Sequence, residues 1–232
     1  MERTSFARAR TPANKERRSR DLLLAARSLA ESGGVRTVTL TAIAERAGVH
    51  VSGVRRYFDS REEIFLRLAT AAWSEWAEDL AKQLGGSETY DAARLARVVA
   101  GSLGARPLFC DLLGHAAISL ERQVPAACVR AYKLAALDAV GLLADTFHRA
   151  AQLSPEAGRD LVASATALAA AFWQYAHPDA TLAQLYDEEP RLAPARIDFE
   201  AEMTSTLTAL ITGLTATHGG VGLPPQRLTN PD

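Results

Sequence analysis

An all-α protein is predicted by three observations on the sequence. Apolar residues recur at helical spacing through most of the chain, alanine and leucine dominate while β-branched clusters are few, and most breaks between periodic stretches fall at glycine or proline. The stretches divide into a small trihelical front and a larger helical body. Charge divides the same way. Residues 1–61 carry 13 Lys and Arg against 6 Asp and Glu, a net of +7 in a chain whose total is −1, so the remainder is acidic.

Residues 1–12 form a basic arm with Arg3, Arg8 and Arg10, and Lys15, Arg17, Arg18 and Arg20 continue the charge into the first helix. Thr11 and Pro12 supply an N-cap and a first-turn proline. The arm is expected to be flexible and to reach DNA phosphates or a minor groove. No apolar signal-peptide core follows it, which excludes an export signal. Leu22, Ala25, Ala26, Leu29 and Ala30 then make the apolar stripe of a supporting helix that breaks at Gly33-Gly34.

Thr39 to Phe58 reads as two short helices hinged on a glycine. Thr39 is the N-cap candidate, Leu40, Ile43, Ala44 and Ala47 are spaced as a helix, and Gly48 stands where a left-handed residue must end it. Val49 covers the turn. The second helix presents His50, Ser52, Arg55 and Arg56 outward while Val51, Val54 and Phe58 hold it inward, so it suits a major groove. Asp59-Ser60-Arg61-Glu62-Glu63 is a capping box, Ser60 at the N-cap, that opens a helix through Ile64, Leu68 and Trp73.

The run Thr39, Ile43-Ala44, Ala47-Gly48-Val49, Tyr57-Phe58 and Ser60 to Glu62 resembles the amino-terminal domain of the tetracycline-repressor (TetR) family of transcriptional regulators, over about Arg20 to Leu68. The resemblance implies a three-helix DNA-binding domain at 13–59, followed by a helical ligand-binding and dimerisation domain at 60–217. It places Thr39, Thr41, Tyr57 and Arg61 at phosphates, and His50, Val51, Ser52, Gly53, Arg55 and Arg56 facing or approaching bases. The departures lie in the recognition helix: His50 replaces the usual Ser or Thr, Ser52 and Gly53 a small residue and Thr, and Arg55 an aromatic. Gly53 costs about 1 kcal/mol of helix relative to Ala, or else lets the backbone approach DNA closely. Arg55 and Arg56 suit either phosphate anchoring or bidentate reading of guanine.

In the body, helices are expected near 60–84, 89–103, 106–122, 125–151, 155–177 and 195–216. They are separated at Gly85-Gly86-Ser87, Gly104, Gln123-Val124-Pro125, Ser154-Pro155 and an acidic, proline-bearing segment 178–194. Residues 218–232 lack period and apolar content and read as a disordered tail. Helix 155–177 is apolar nearly all round, which points to burial on two sides. With helix 195–216 (Ile197, Met203, Leu207, Leu210, Ile211, Leu214) it would form the four-helix interface of a homodimer, as the resemblance also implies. A two-fold dimer demands a roughly palindromic double-stranded operator.

In the family, a small-molecule effector moves the helix that links body to DNA-binding domain, here 60–84. Trp73, Trp76, Phe109, Leu113, Phe147 and Trp173 outline an apolar ligand site, although each aromatic alone reads as ordinary core. His115 is the foremost polar candidate there, with Asp111, Cys110, Tyr132 and Gln174 behind it. An uncharged or cationic, largely hydrophobic effector fits this set better than a phosphorylated one. A repressor released by such a molecule is the expected function.

Catalysis finds no motif: the sequence has no phosphate-binding glycine loop, no nucleophile elbow and no His-Glu-x-x-His, and its five histidines lack ligand spacing. No enzyme, cofactor or metal is expected. A helical carrier of hydrophobic molecules with decayed DNA contact is the alternative that the irregular recognition helix suggests. No apolar run reaches a membrane span, and Cys110 and Cys128 read as reduced thiols, which together give a cytoplasmic protein as the expectation.

Overall fold

The computed structural model describes residues 12–122 and 124–219, and no strand occurs among them. Helices α1 (Pro12–Gly33), α2 (Leu40–Arg46) and α3 (Val51–Val54) precede α4 (Arg61–Gln83), α5 (Ala92–Gly104) and α6 (Pro107–His115). They are followed by α7 (Ala126–Ala151), α8 (Pro155–Ala176), α9 (Ala180–Glu188) and α10 (Phe199–Gly219). The 3-10 turns Val35–Thr37 and Pro190–Ala195 and a π turn, Ala116–Leu120, complete the path. Most of the basic arm, and the tail beyond Gly219, lie outside the described residues.

The helices gather into two compact units. One comprises the chain up to Ser74 together with Arg106–Ala136, and the other Glu75–Ala105 together with the chain from Leu137 onward. The boundary falls inside α4 and again inside α7.

In the first unit, α1 packs on α2, and α6 packs on both α1 and the 3-10 turn. Leu22, Val35, Ile43, Val54, Phe58 and Phe65 are fully buried at its centre. Burial of such a side chain contributes about 1.5–3 kcal/mol, enough to hold helices too short to persist alone. In the second unit α10 packs on α5 and α8. Trp76 donates its Nε1–H to Ser102 Oγ at 3.0 Å inside that unit, so the indole's polar edge is satisfied at zero exposure.

Three elements differ from the sequence reading. The segment 178–194, read as a separator, contains α9, capped by Asp179 Oδ1 accepting from Leu182 N–H at 3.0 Å. α9 has a short apolar stripe, Leu182, Leu185 and Tyr186, but none of its residues is buried, and the prolines and acidic residues around it read as a separator. The stretch 106–122 is not one α-helix: after His115 it widens, and Glu121 N–H reaches back five residues to Ala116 O at 3.1 Å. The second helix of the helix-turn-helix is four residues long instead of running to Phe58.

Candidate nucleic-acid interface

The interface begins with the cap of α2. Thr39 Oγ1 accepts the Ala42 N–H at 3.1 Å, a contact that contributes about 1 kcal/mol. Gly48 ends the helix at φ +65°, a conformation costly to any residue with a Cβ. Val49 N–H returns to Ala44 O at 2.9 Å, which closes the turn.

α3 starts at His50, whose Nδ1 accepts the Ser52 N–H at 3.3 Å and lies 2.9 Å from Ser52 Oγ. The helix stops after Val54, since Gly53 weakens it and the bonds that follow are mixed. Arg56 and Tyr57 bond three residues back, at 3.4 and 2.9 Å, while Arg55 and Phe58 bond four back, at 3.4 and 3.1 Å. Val54 and Phe58 are buried and pin this loosened turn from beneath. Ser52, Arg55 and Arg56 are exposed above them, with Thr39, Thr41 and His50 also exposed nearby in the chain. Val51, Gly53 and Tyr57 are half-buried.

Arg61 stands apart from the other residues assigned to DNA. Its Nε donates to Val38 O at 2.5 Å, its second amino group donates to Val35 O, and its first pairs with Glu62 at 3.0 Å. The guanidinium also lies 4.8 Å from the centre of the Phe65 ring. It therefore braces the 3-10 turn that leads into α2. The start of α4 is fixed beside it: Ser60 Oγ accepts the Glu63 N–H at 3.1 Å, and Glu63 reaches back to Asp59 N–H at 2.7 Å, one residue earlier than a capping box requires. Arg67 closes on Glu63 at 2.7 Å and covers the Phe58 ring at 5.1 Å.

The residues assigned to an effector fall into both units. In the first, Trp73 and Phe109 meet edge to face at 5.4 Å between centroids, and both are buried. Leu113 and His115 are half-buried there, and His115 Nε2 lies 3.4 Å from Asp111 Oδ1. Asp111 Oδ2 accepts the backbone N–H of Val35 in the same unit, while its other oxygen faces His115. Burial pushes the Tyr132 hydroxyl up, and the neighbouring Trp73 side chain opposes the shift. In the second unit Trp76 and Phe147 are fully buried, and Trp173 stacks on His177 at 3.7 Å and meets Phe199 edge to face at 5.4 Å. Among the described residues no group of His, Cys, Asp and Glu is arranged to hold a metal ion, and no helix is long and apolar enough to cross a membrane.

A glycine-hinged helix pair with exposed cations over a buried hydrophobic foot defines a helix-turn-helix protein. The family follows from the sequence as a whole: residues 22–68 match the model of bacterial regulatory proteins of the tetR family, and residues 70–218 match the tetracyclin repressor-like C-terminal domain. The chain belongs to the TetR family of transcriptional regulators, with a DNA-binding helix-turn-helix domain and a helical ligand-binding domain.

Solved structures share the fold. FadR of Thermus thermophilus, a TetR-family transcriptional repressor in complex with lauroyl-CoA, aligns with a TM-score of 0.54 at 19% identity, covering 90% of this chain and 98% of that one. FadR of Bacillus subtilis in complex with stearoyl-CoA aligns at 0.53 and 15% identity, over 84% and 98%. A possible TetR-family regulator from Streptomyces coelicolor A3(2) aligns at 0.53 and 19%, over 88% and 99%. No curated protein matches the sequence.

Proposed function

We propose that the chain is a cytoplasmic repressor that binds a palindromic operator as a homodimer and is released by a small, largely hydrophobic molecule. The observation that carries this reading is the exposed row Ser52, Arg55 and Arg56 over buried Val54 and Phe58, held at a capped, glycine-hinged turn. Phosphates attract and register such a module, and base edges select among sequences. Thr39, Thr41 and Tyr57 serve the first role together with the arm. Arg61 serves indirectly, by bracing the turn. The DNA-binding role belongs to residues 13–59 and the effector and dimer roles to 60–217.

Dimerisation is supported by the outward row Ala163, Ala167, Ala171 and Tyr175 on α8, which is exposed although the opposite face is core. Small residues there admit close approach of a second copy of α8 and α10, and Tyr175 is 61% exposed in the single chain. An apolar effector is supported by the aromatic groups around Trp73 and Trp173; the acyl-CoA of the two FadR complexes joins a long apolar chain to a phosphorylated head, so it agrees with the apolar part of the expectation and not with the preference against phosphate.

The four-residue α3 favours one rival reading, a carrier of hydrophobic molecules that no longer reads DNA. Selection of random duplexes on the purified chain separates the two. Inverted half-sites centred one helical turn, about 34–36 Å, apart are expected. A monomer that retains all duplexes alike would leave the carrier reading standing and remove the repressor.

A further inference from the structure

We infer that His50 reads a base through its Nε2–H, as a fixed hydrogen-bond donor in the major groove that discriminates against cytosine; the inference rests on the operator binding proposed above. A backbone N–H can only donate, so Nδ1, which takes the Ser52 N–H at 3.3 Å, must be the unprotonated nitrogen. The Ser52 hydroxyl lies 2.9 Å from the same nitrogen, and its rotatable hydrogen is compatible with that tautomer. The ring proton therefore resides on Nε2. His50 is exposed, and Nε2 has no hydrogen-bond partner among the described residues. The cap thus does two things at once: it starts α3 and it orients a donor at the position from which recognition helices meet base edges.

The chemistry of the partner follows from what a lone donor can meet. Guanine offers N7 and O6 as acceptors in the major groove, adenine offers N7 and thymine O4, whereas cytosine presents its N4 amino group, a donor. An Nε2–H held in place matches the first three and opposes the fourth. Arg56, an exposed cation of the same turn, is also a donor only and gives an N4 amino group nothing to bond.

The test is the selection of random duplexes, carried out with the full chain and with two variants that both keep an acceptor for the Ser52 N–H. His50→Asp removes the donor, and His50→Asn keeps one on its amide nitrogen. Wild-type sites are expected to show cytosine depleted about threefold to tenfold at one position in each half-site, the yield of one net hydrogen bond. The depletion persists in His50→Asn and disappears in His50→Asp. A selective wild type whose base profile is unchanged in His50→Asp, with binding merely weaker on every sequence, places His50 at a phosphate and overturns its role as a reader. A wild type that enriches no sequence overturns operator binding itself, and the role of His50 falls with it.

Discussion

Asp111 Oδ2 accepts the backbone N–H of Val35 at 2.6 Å, across 76 residues of sequence. The carboxylate is nearly buried, and Gly34 lies beside it at φ +80°: a Cβ there would make only an ordinary contact, 3.6 Å from Asp111 Oδ2, so the backbone conformation and not space calls for glycine. Arg61 takes the carbonyl of the same Val35, so the turn that aims α2 is held at its N–H by α6 and at its carbonyl by α4. Removing the acceptor strands a buried N–H. Asp111→Ala is expected to cost about 1–3 kcal/mol in denaturant melts and to weaken operator binding further than the stability loss explains. Asp111→Asn, which still offers an oxygen, should recover most of both. Equal operator affinity in Asp111→Ala and wild type would show that the contact does not position the turn.

Much of the front end was legible in the sequence because its signals are local. Thr39, Gly48 and Ser60 act within a few residues of themselves, so cap, hinge and restart could be read one after another. The bond from Asp111 to Val35 could not, since nothing near either residue announces a partner 76 positions away. α9 escaped for a different reason: its cap at Asp179 and its short stripe of Leu182, Leu185 and Tyr186 lie between prolines in an acidic stretch that reads as a separator. The short α3 lay between these cases, because Gly53 advertised weakness without saying where the helix would stop.

Gly53 offers a test of that weakness. A Cβ added there would meet only Val49 Cβ, at 3.7 Å, an ordinary contact. Gly53→Ala is therefore expected to raise stability by up to about 1 kcal/mol and to extend α3 past Val54, seen as slower amide exchange at Arg56 and Tyr57. Operator affinity should rise with it. A drop in affinity despite the stability gain would mean instead that the DNA backbone occupies the space at Gly53.

Two further glycines are expected to respond in opposite directions. A Cβ on Gly158 would lie 2.9 Å from Ala144 Cα and 3.2 Å from Ala144 O, backbone that cannot yield cheaply, whereas Gly141 has nothing within 4 Å. Gly158→Ala should cost about 1–3 kcal/mol by forcing α7 and α8 apart. Gly141→Ala should gain about 0.4–1 kcal/mol by restricting the unfolded chain. Thermal melts of the two variants measure both, and a neutral Gly158→Ala would show that the helices separate freely.

Burial, with the Asp111 carboxylate adding to it, pushes the Cys110 thiol from its ordinary 9.0 up to about 12. The folded pKa is the higher, so the contribution to stability is fully present below 9.0 and is lost as pH rises from 9.0 toward about 12, where the unfolded thiol ionises first. Urea melts of wild type and Cys110→Ala across that window should show the wild type losing stability more steeply. Parallel curves would mean that Cys110 is accessible to water. The same burial predicts that a thiol reagent labels Cys110 only as fast as the first unit opens.

Arg55 lies just past the end of α3, as its C-cap at φ −62°, ψ −7°. Recognition helices meet base edges with their N-terminal residues, so a side chain one residue beyond the other end of so short a helix points toward the sugar-phosphate rim of the groove. Arg55 is therefore expected to act as an anchor whose loss affects every sequence alike. In a dimer Arg55→Ala removes two phosphate contacts, which should lower the slope of log affinity against log salt by about 2 while the preferred sequence stays the same. Affinity measured on the selected operator at several salt concentrations, beside a repeated selection, gives both quantities. If the slope holds and one guanine position loses its preference, Arg55 is a base reader, and the end of α3 enters the groove more deeply than its four residues suggest.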